Sequence, residues 1–139
     1  MDLYAENILD HFKHPCNKGV LVNPTVEHKE VNLSCGDELT IQLIIIDDFI
    51  RELRWEGTGC AISIGAMSIL SEELIGKSLE EASSFSIDDV KKLLGVPISQ
   101  RRLKCAMLGL HTLKNALHAM NQEPSQGWGT AIANEELAS

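Results

Sequence analysis

Three short segments carry residues suited to metal or sulfur chemistry. Cys35-Gly36-Asp37, Gly57-Thr58-Gly59-Cys60-Ala61 and Arg102-Leu103-Lys104-Cys105-Ala106 each hold one cysteine. Soft metals favour thiolates, and a tetrahedral site takes four ligands. Cys35, Cys60, Cys105 and the Asp37 carboxylate make four. No Cys-x-x-Cys pair occurs, which excludes the zinc-ribbon and thioredoxin patterns. Taken singly, each cysteine also reads as a small buried hydrophobe. Glycine and aspartate neighbours argue against that reading at Cys35 and Cys60, whereas Cys105 alone fits a helix core. Gly36 allows a sharp turn between two ligands, and Gly57 with Gly59 is expected to give the second loop the same backbone freedom. Cys60 precedes a predicted helix, whose N-terminus favours negative charge. Lys104 brings a cation next to Cys105, although adjacent helical residues do not face each other.

The elements that must position these segments follow from periodicity. Tyr4, Ile8 and Phe12, with Leu9 beside them, predict a short amphipathic helix that His14-Pro15 and Asn17-Lys18-Gly19 end. A weakly patterned strand is expected over Val26–Leu33. Leu39, Ile41, Leu43 and Ile45 alternate with Thr40 and Gln42, which predicts a strand over Glu38–Ile46. Asp47-Asp48 suits a tight turn. Beyond it, Phe49, Arg51, Leu53 and Trp55 alternate with Ile50, Glu52, Arg54 and Glu56. Helices are predicted over Ala61–Ile75, with Gly76 as its stop, from Ser86 to Gly95-Pro97, and from Ser99 to about Met120. Ser78 with Glu81 reads as a capping box, and Asp88-Asp89 suits a helix start. The outcome is an α+β domain: a small antiparallel three-stranded sheet with helices on one face and a helical second half. Two cysteine-bearing turns and one helix can then converge at one end of the sheet. Residues 1–120 form the domain, and 121–139 a tail that is either mobile or docked through Trp128.

A chain of 139 residues buries roughly 70% of its unfolded surface, enough for one core without metal or disulfide staples. The formal net charge of -8 argues against nucleic acid, whose phosphates need a basic surface, and leaves room for cations and basic protein partners. The first residues lack the basic and apolar regions of a signal peptide, and no run of about 18 apolar residues spans a membrane. Four cysteines without the dense spacing of a secreted scaffold suggest reduced, cytoplasmic thiols.

Together, Cys35-Gly36-Asp37, Gly57-x-Gly-Cys60-Ala61, the late Cys105-Ala106 and the opening Tyr4–Pro15 stretch ending in Asn17-Lys18-Gly19 resemble the IscU/NifU/SufU family of iron–sulfur cluster assembly proteins. The resemblance runs from Leu3 to about Met120. It implies a scaffold that accepts sulfur from a cysteine desulfurase, and iron, and assembles a labile [2Fe–2S] cluster for transfer to recipient apo-proteins. It implies Cys35, Asp37, Cys60 and Cys105 as ligands of the transient cluster or of Zn²⁺, with Cys105 the candidate sulfur acceptor beside Cys60 and Cys35. A carboxylate holds a cluster less firmly than a fourth thiolate, which suits cargo that must leave. Lys104 stands where IscU-type scaffolds carry histidine, and Arg102-x-x-Cys105-Ala106 is closer to SufU, whose members bind zinc and relay sulfur. Against that, the Cys60–Cys105 interval is short, as in IscU, and Val96-Pro97-Ile98 is a poor substitute for the Leu-Pro-Pro-Val-Lys chaperone segment. The chain therefore mixes both branches, and a zinc-bound sulfurtransferase relaying persulfide is the alternative. A structural zinc module is a third reading; it requires that metal removal unfold the domain. Monomer and weak homo-oligomer both remain compatible.

Cys16 stands where the family usually has arginine, and is read as a bystander rather than an extra ligand or sulfur carrier. His11, His14, His28, His111 and His118 each read more readily as structural than as ligands. Glu72-Glu73 and Glu80-Glu81 read as solvated helix faces. Arg101, Arg102 and Lys104 form a basic cluster, either a solvated face or an attractor of thiolate, sulfide or a partner carboxylate.

Overall fold

In a computed structural model of the protein, residues 3–33 and 36–121 are described. The readings placed on Cys35, on Trp128 and on the Tyr4 side chain fall outside the described residues.

The element order is α1 (Leu3–Lys13), β1 (Val26–Asn32), β2 (Asp37–Ile46), β3 (Phe49–Thr58), α2 (Ala61–Leu74), α3 (Leu79–Ser83), α4 (Ile87–Leu94) and α5 (Gln100–Met120). The strands form one antiparallel sheet in the order β1-β2-β3. Asp47 and Asp48 make the two-residue β2–β3 turn, both with φ positive at 54° and 63°, which matches the right-handed twist of the flanking strands. Leu39, Ile41 and Leu43 face the core opposite Gly57, Trp55 and Leu53.

The expected alternation of β3 holds only in its second half. Leu53 and Trp55 are buried, but Ile50 is buried as well and Phe49 is exposed. Register shifts between Ile44, paired with Glu52, and Ile45, paired with Ile50. Arg51 is thus the extra residue of a β-bulge, and side chains before it change face.

Helix α5 lies across β1 and β2, α2 packs beside it, and α1 packs on α2. Ser63 through Ser71 of α2 are all buried, so this helix is central and needs no polar stripe. Leu103, Ala106, Leu110, Leu113 and Leu117, the predicted apolar face of α5, are in the core. The short helices begin on complete capping boxes, Ser78 with Glu81 and Ser86 with Asp89, and α4 ends on Gly95 at φ 70°.

Strand β1 is weakly patterned because its inward face is largely polar. Val26, His28, Glu30 and Asn32 point toward α5, opposite Leu43, Ile41, Leu39 and Asp37. Glu30 accepts hydrogen bonds from Asn115 Nδ2 at 2.8 Å and from His28 Nε2 at 2.6 Å, and His111 Nε2 lies 3.7 Å away. Burial opposes the charge on Glu30, but the bonds from His28 and Asn115 and the nearness of His111 and His28 outweigh it and hold the carboxyl below its ordinary 4.5. Burial holds His111 below its ordinary 6.5, against the pull of Glu30. Both groups therefore bind fewer protons folded than unfolded, so stability falls on acidification. The loss begins just below pH 6.5 as His111 is forced to charge, and continues below 4.5 as Glu30 protonates. Urea midpoints across pH should show the first step in the native chain and not in His111→Gln. An identical profile for the two chains would refute this account.

Candidate metal centre

Asp37, Cys60 and Cys105 arrive from three elements. Asp37 opens β2 and points to the core face, 2% exposed. Cys60 is the N-cap of α2, with extended backbone angles, and its carbonyl accepts from Ile64 N–H at 3.1 Å. Cys105 lies in the second turn of α5, 8% exposed. The ligand atoms of these residues all lie within 4.8 Å of one another. Cys60 Sγ is 3.8 Å from Asp37 Oδ2. A metal ion bonding two such atoms at 2.0–2.3 Å needs them about 3.5 Å apart, so small side-chain shifts close the set. Two soft thiolates and a carboxylate fit Zn²⁺ or iron.

Asp37 also has a structural task that the sequence did not suggest. Its Oδ1 accepts the Cys60 backbone N–H at 3.1 Å, and its Oδ2 accepts the Ser63 hydroxyl at 2.5 Å. Cys60 itself makes no side-chain cap, so the carboxylate serves the start of α2 from outside the helix. Ser63, whose Oγ is also 3.4 Å from Cys60 Sγ, is the residue sequence reasoning missed. Only its i+3 spacing from Cys60 could have pointed to it.

The glycines act differently than expected. Gly36 does take a left-handed φ of 74°. Gly57 and Gly59 are not in that region; they are required by close approach. A Cβ on Gly57 would sit 2.2 Å from the Glu38 carbonyl oxygen, and one on Gly59 would sit 2.8 Å from Asp37 Oδ1. The absent side chains let the end of β3, at Gly57, press against β2, and the following loop, at Gly59, press against the carboxylate.

These three residues open onto a cleft of about 390 Å³ lined by Gly36, Asp37, Gly59, Cys60, Arg101, Arg102 and Cys105. The basic cluster is thereby divided: Arg101 and Arg102 border the site, whereas Lys104 is exposed and does not line the cleft. Cys35 lies outside the described residues; Gly36, the next residue in the chain, lines the cleft.

The other sequence candidates lie elsewhere. His28 and His111 belong to the Glu30 network. His14 is exposed, and His118 lies near the far end of α5 from Cys105. His11 and Cys16 meet on another face, beside Glu72. Burial, followed by the nearby Glu72 and Asp10 charges, raises the Cys16 thiol above its ordinary 9.0, against the hydrogen bond from Ser68. Among the described residues no helix is long and apolar enough to cross a membrane.

Comparison with known proteins bears on this arrangement. The zinc-dependent sulfurtransferase SufU of Bacillus subtilis is 31% identical over 132 residues, covering 83% of this chain and 89% of that protein. The iron–sulfur cluster assembly scaffold protein IscU of Thermotoga maritima is 32% identical over 136 residues, covering 86% and 96%. The crystal structure of FiSufU from Fervidobacterium islandicum AW-1 superposes with a TM-score of 0.72 at 27% identity, covering 84% of this chain and 96% of that one. Residues 3–127 match the NifU-like N terminal domain, and the chain belongs to that family.

Proposed function

We propose that this protein is an iron–sulfur cluster assembly scaffold of the cytoplasm. It accepts sulfur from a cysteine desulfurase, and iron, builds a labile [2Fe–2S] cluster on Cys35, Asp37, Cys60 and Cys105, and passes it to recipient apo-proteins. The observation that carries this reading is the convergence of Asp37, Cys60 and Cys105 in a cleft open to solvent. A buried structural zinc site would be closed around its metal. Here the three residues line an open cleft, and the large apolar core beside them is built from other side chains. The scaffold name of the Thermotoga maritima relative supports the same reading.

Each residue then has a chemical task. Cys105 thiolate attacks the outer sulfur of a donor persulfide; the donor S–S bond breaks, the donor cysteine leaves as thiolate, and the sulfur stays on Cys105. Reduction of that sulfur to sulfide takes two electrons from an external reductant. Cys35 and Cys60 with Asp37 complete four ligands, two for each iron. Arg101 and Arg102 offset the negative charge that thiolates and sulfide accumulate.

A second reading, a zinc-bound sulfurtransferase, is favoured by the Bacillus subtilis relative and by Lys104, which removes the imidazole neighbouring Cys105. Acid-labile sulfide and iron in anaerobically purified and reconstituted protein separate the two. The scaffold yields sulfide and iron in equal amounts with a visible chromophore. Zinc without sulfide, and no chromophore on reconstitution, would transfer the assignment to sulfur relay.

A further inference from the structure

We propose a second, independent metal site, built from His11, Cys16 and Glu72, that takes a borderline divalent transition-metal ion such as Zn²⁺ with one coordination position left to solvent. It does not depend on the function proposed above. Cys60 and Glu72 both belong to the α2 region, and twelve residues at 1.5 Å per residue put about 18 Å between them along the helix. One ion cannot serve both clusters.

Imidazole nitrogen, thiolate sulfur and carboxylate oxygen are the three donor types of protein zinc sites. The ligand atoms of His11, Cys16 and Glu72 all lie within 4.8 Å of one another. His11 Nε2 and Glu72 Oε1 are already 3.5 Å apart, close to the separation a shared tetrahedral ion imposes. Glu72 is 55% exposed at its side chain, so it is free to close the remaining distance to Cys16 by a rotamer change.

The ligands are also oriented from behind, as metal ligands require. Ser68 Oγ, one turn before Glu72 on α2, accepts the Cys16 backbone N–H at 2.7 Å and lies 2.7 Å from His11 Nδ1. The second lone pair of the hydroxyl oxygen can accept His11 Nδ1–H, which is the tautomer that ligation through Nε2 requires. That tautomer turns the lone pair of Nε2 toward Glu72 and the site. The Cys16 carbonyl is fixed in turn by Trp55 Nε1–H at 2.8 Å, and Asn17 Nδ2 donates to Ser71 Oγ at 3.1 Å. Asn17 carries a left-handed φ of 61°, and the backbone on either side of Lys18 pairs with Trp55 of β3. The turn bearing Cys16 is therefore held at several points to the core, and little ordering remains to oppose ion binding.

Titration of the full chain with Zn²⁺, and with Co²⁺ as a spectroscopic probe, tests the site. The native chain should bind one more Zn²⁺ per chain at saturation than Cys16→Ser or His11→Ala, with the tightest equivalents unchanged. The Co²⁺ thiolate charge-transfer band belonging to the extra equivalent should vanish in Cys16→Ser. Glu72→Gln, on an exposed position that cannot unfold the domain, should weaken the extra equivalent at least about tenfold, and Ser68→Ala by about 10–100-fold. Equal stoichiometry in the native chain, Cys16→Ser and Glu72→Gln would overturn the site. Loss of the tightest equivalents in Cys16→Ser would also overturn it, because the two sites would then not be independent. Neither result touches the sulfide and iron measurement that tests the scaffold reading.

Discussion

Serine at Cys60 or at Cys105 is expected to abolish tight metal and cluster loading while the fold survives. A serine hydroxyl stays protonated at neutral pH and is a poor partner for a soft metal. Four-ligand thiolate-rich zinc sites are worth about 10–16 kcal/mol in total, so one ligand carries about 3 kcal/mol, or about two orders of magnitude in affinity. The fold has little reason to respond. Cys60 is half-buried at a helix cap, and Ser63 Oγ, 3.4 Å from its sulfur, can bond a hydroxyl there. Serine at position 105 can return its proton to the carbonyl one turn earlier in α5. The cost to stability should stay near 1 kcal/mol. Metal and sulfide content after reconstitution and gel filtration reads the first effect, and urea denaturation the second. Cys35→Ser should behave like the other two, whereas Cys16→Ser should keep the tight loading. A Cys60→Ser or Cys105→Ser chain that loads like the native protein would remove that residue from the centre.

What the sequence disclosed follows from the range over which each interaction acts. The alternation of Leu39, Ile41 and Leu43, the Asp47-Asp48 turn and the Ser78–Glu81 capping box are local, and each is visible within a few residues. The Arg51 bulge was not, because a one-residue slip is decided by what Ile45 and Ile50 pack against on the helix layer. Strand β1 was faint because His28 and Glu30 make sense only once His111 and Asn115 descend on them from α5, more than eighty residues away. Among the candidate ligands, Cys35, Asp37 and Cys60 are conspicuous in the sequence because glycine and aspartate flank the cysteines, whereas Cys105 alone fits a helix core until the fold sets it beside Asp37 and Cys60. The supporting residues are not conspicuous. Ser63 bonds Asp37 across 26 residues, and Ser68 bonds Cys16 across 52, and serines on a helix give no sign of such partners. The same distance hid the meeting of His11 and Cys16 with Glu72.

Replacing Asp37 should slow cluster release, and the choice of replacement separates its two tasks. In the native chain the carboxylate has ready alternatives to iron: the Cys60 N–H at 3.1 Å and the Ser63 hydroxyl at 2.5 Å. If Asp37 ligates the cluster as proposed, these donors would receive the carboxylate whenever it left the metal, and a coordination position would open for a recipient's thiolate. In the proposed cluster-bound site the carboxylate would also add a negative charge beside three thiolates and sulfide, at a position only 2% exposed, where charge is costly. Asp37→Ala removes the exchange route and the charge together, but it also strands the Cys60 N–H and the Ser63 hydroxyl, at a cost of about 1–3 kcal/mol of stability. Asp37→Asn removes the charge and keeps a carbonyl oxygen for the Cys60 N–H, while its Nδ2 donates to Ser63 Oγ. Both variants should transfer a reconstituted cluster to an apo-acceptor about tenfold more slowly, equivalent to about 1.4 kcal/mol of added barrier. Only the alanine variant should unfold at lower urea. Faster cluster loss from both would refute the carboxylate as the releasing ligand. Equal destabilisation of both would refute its role in holding the start of α2.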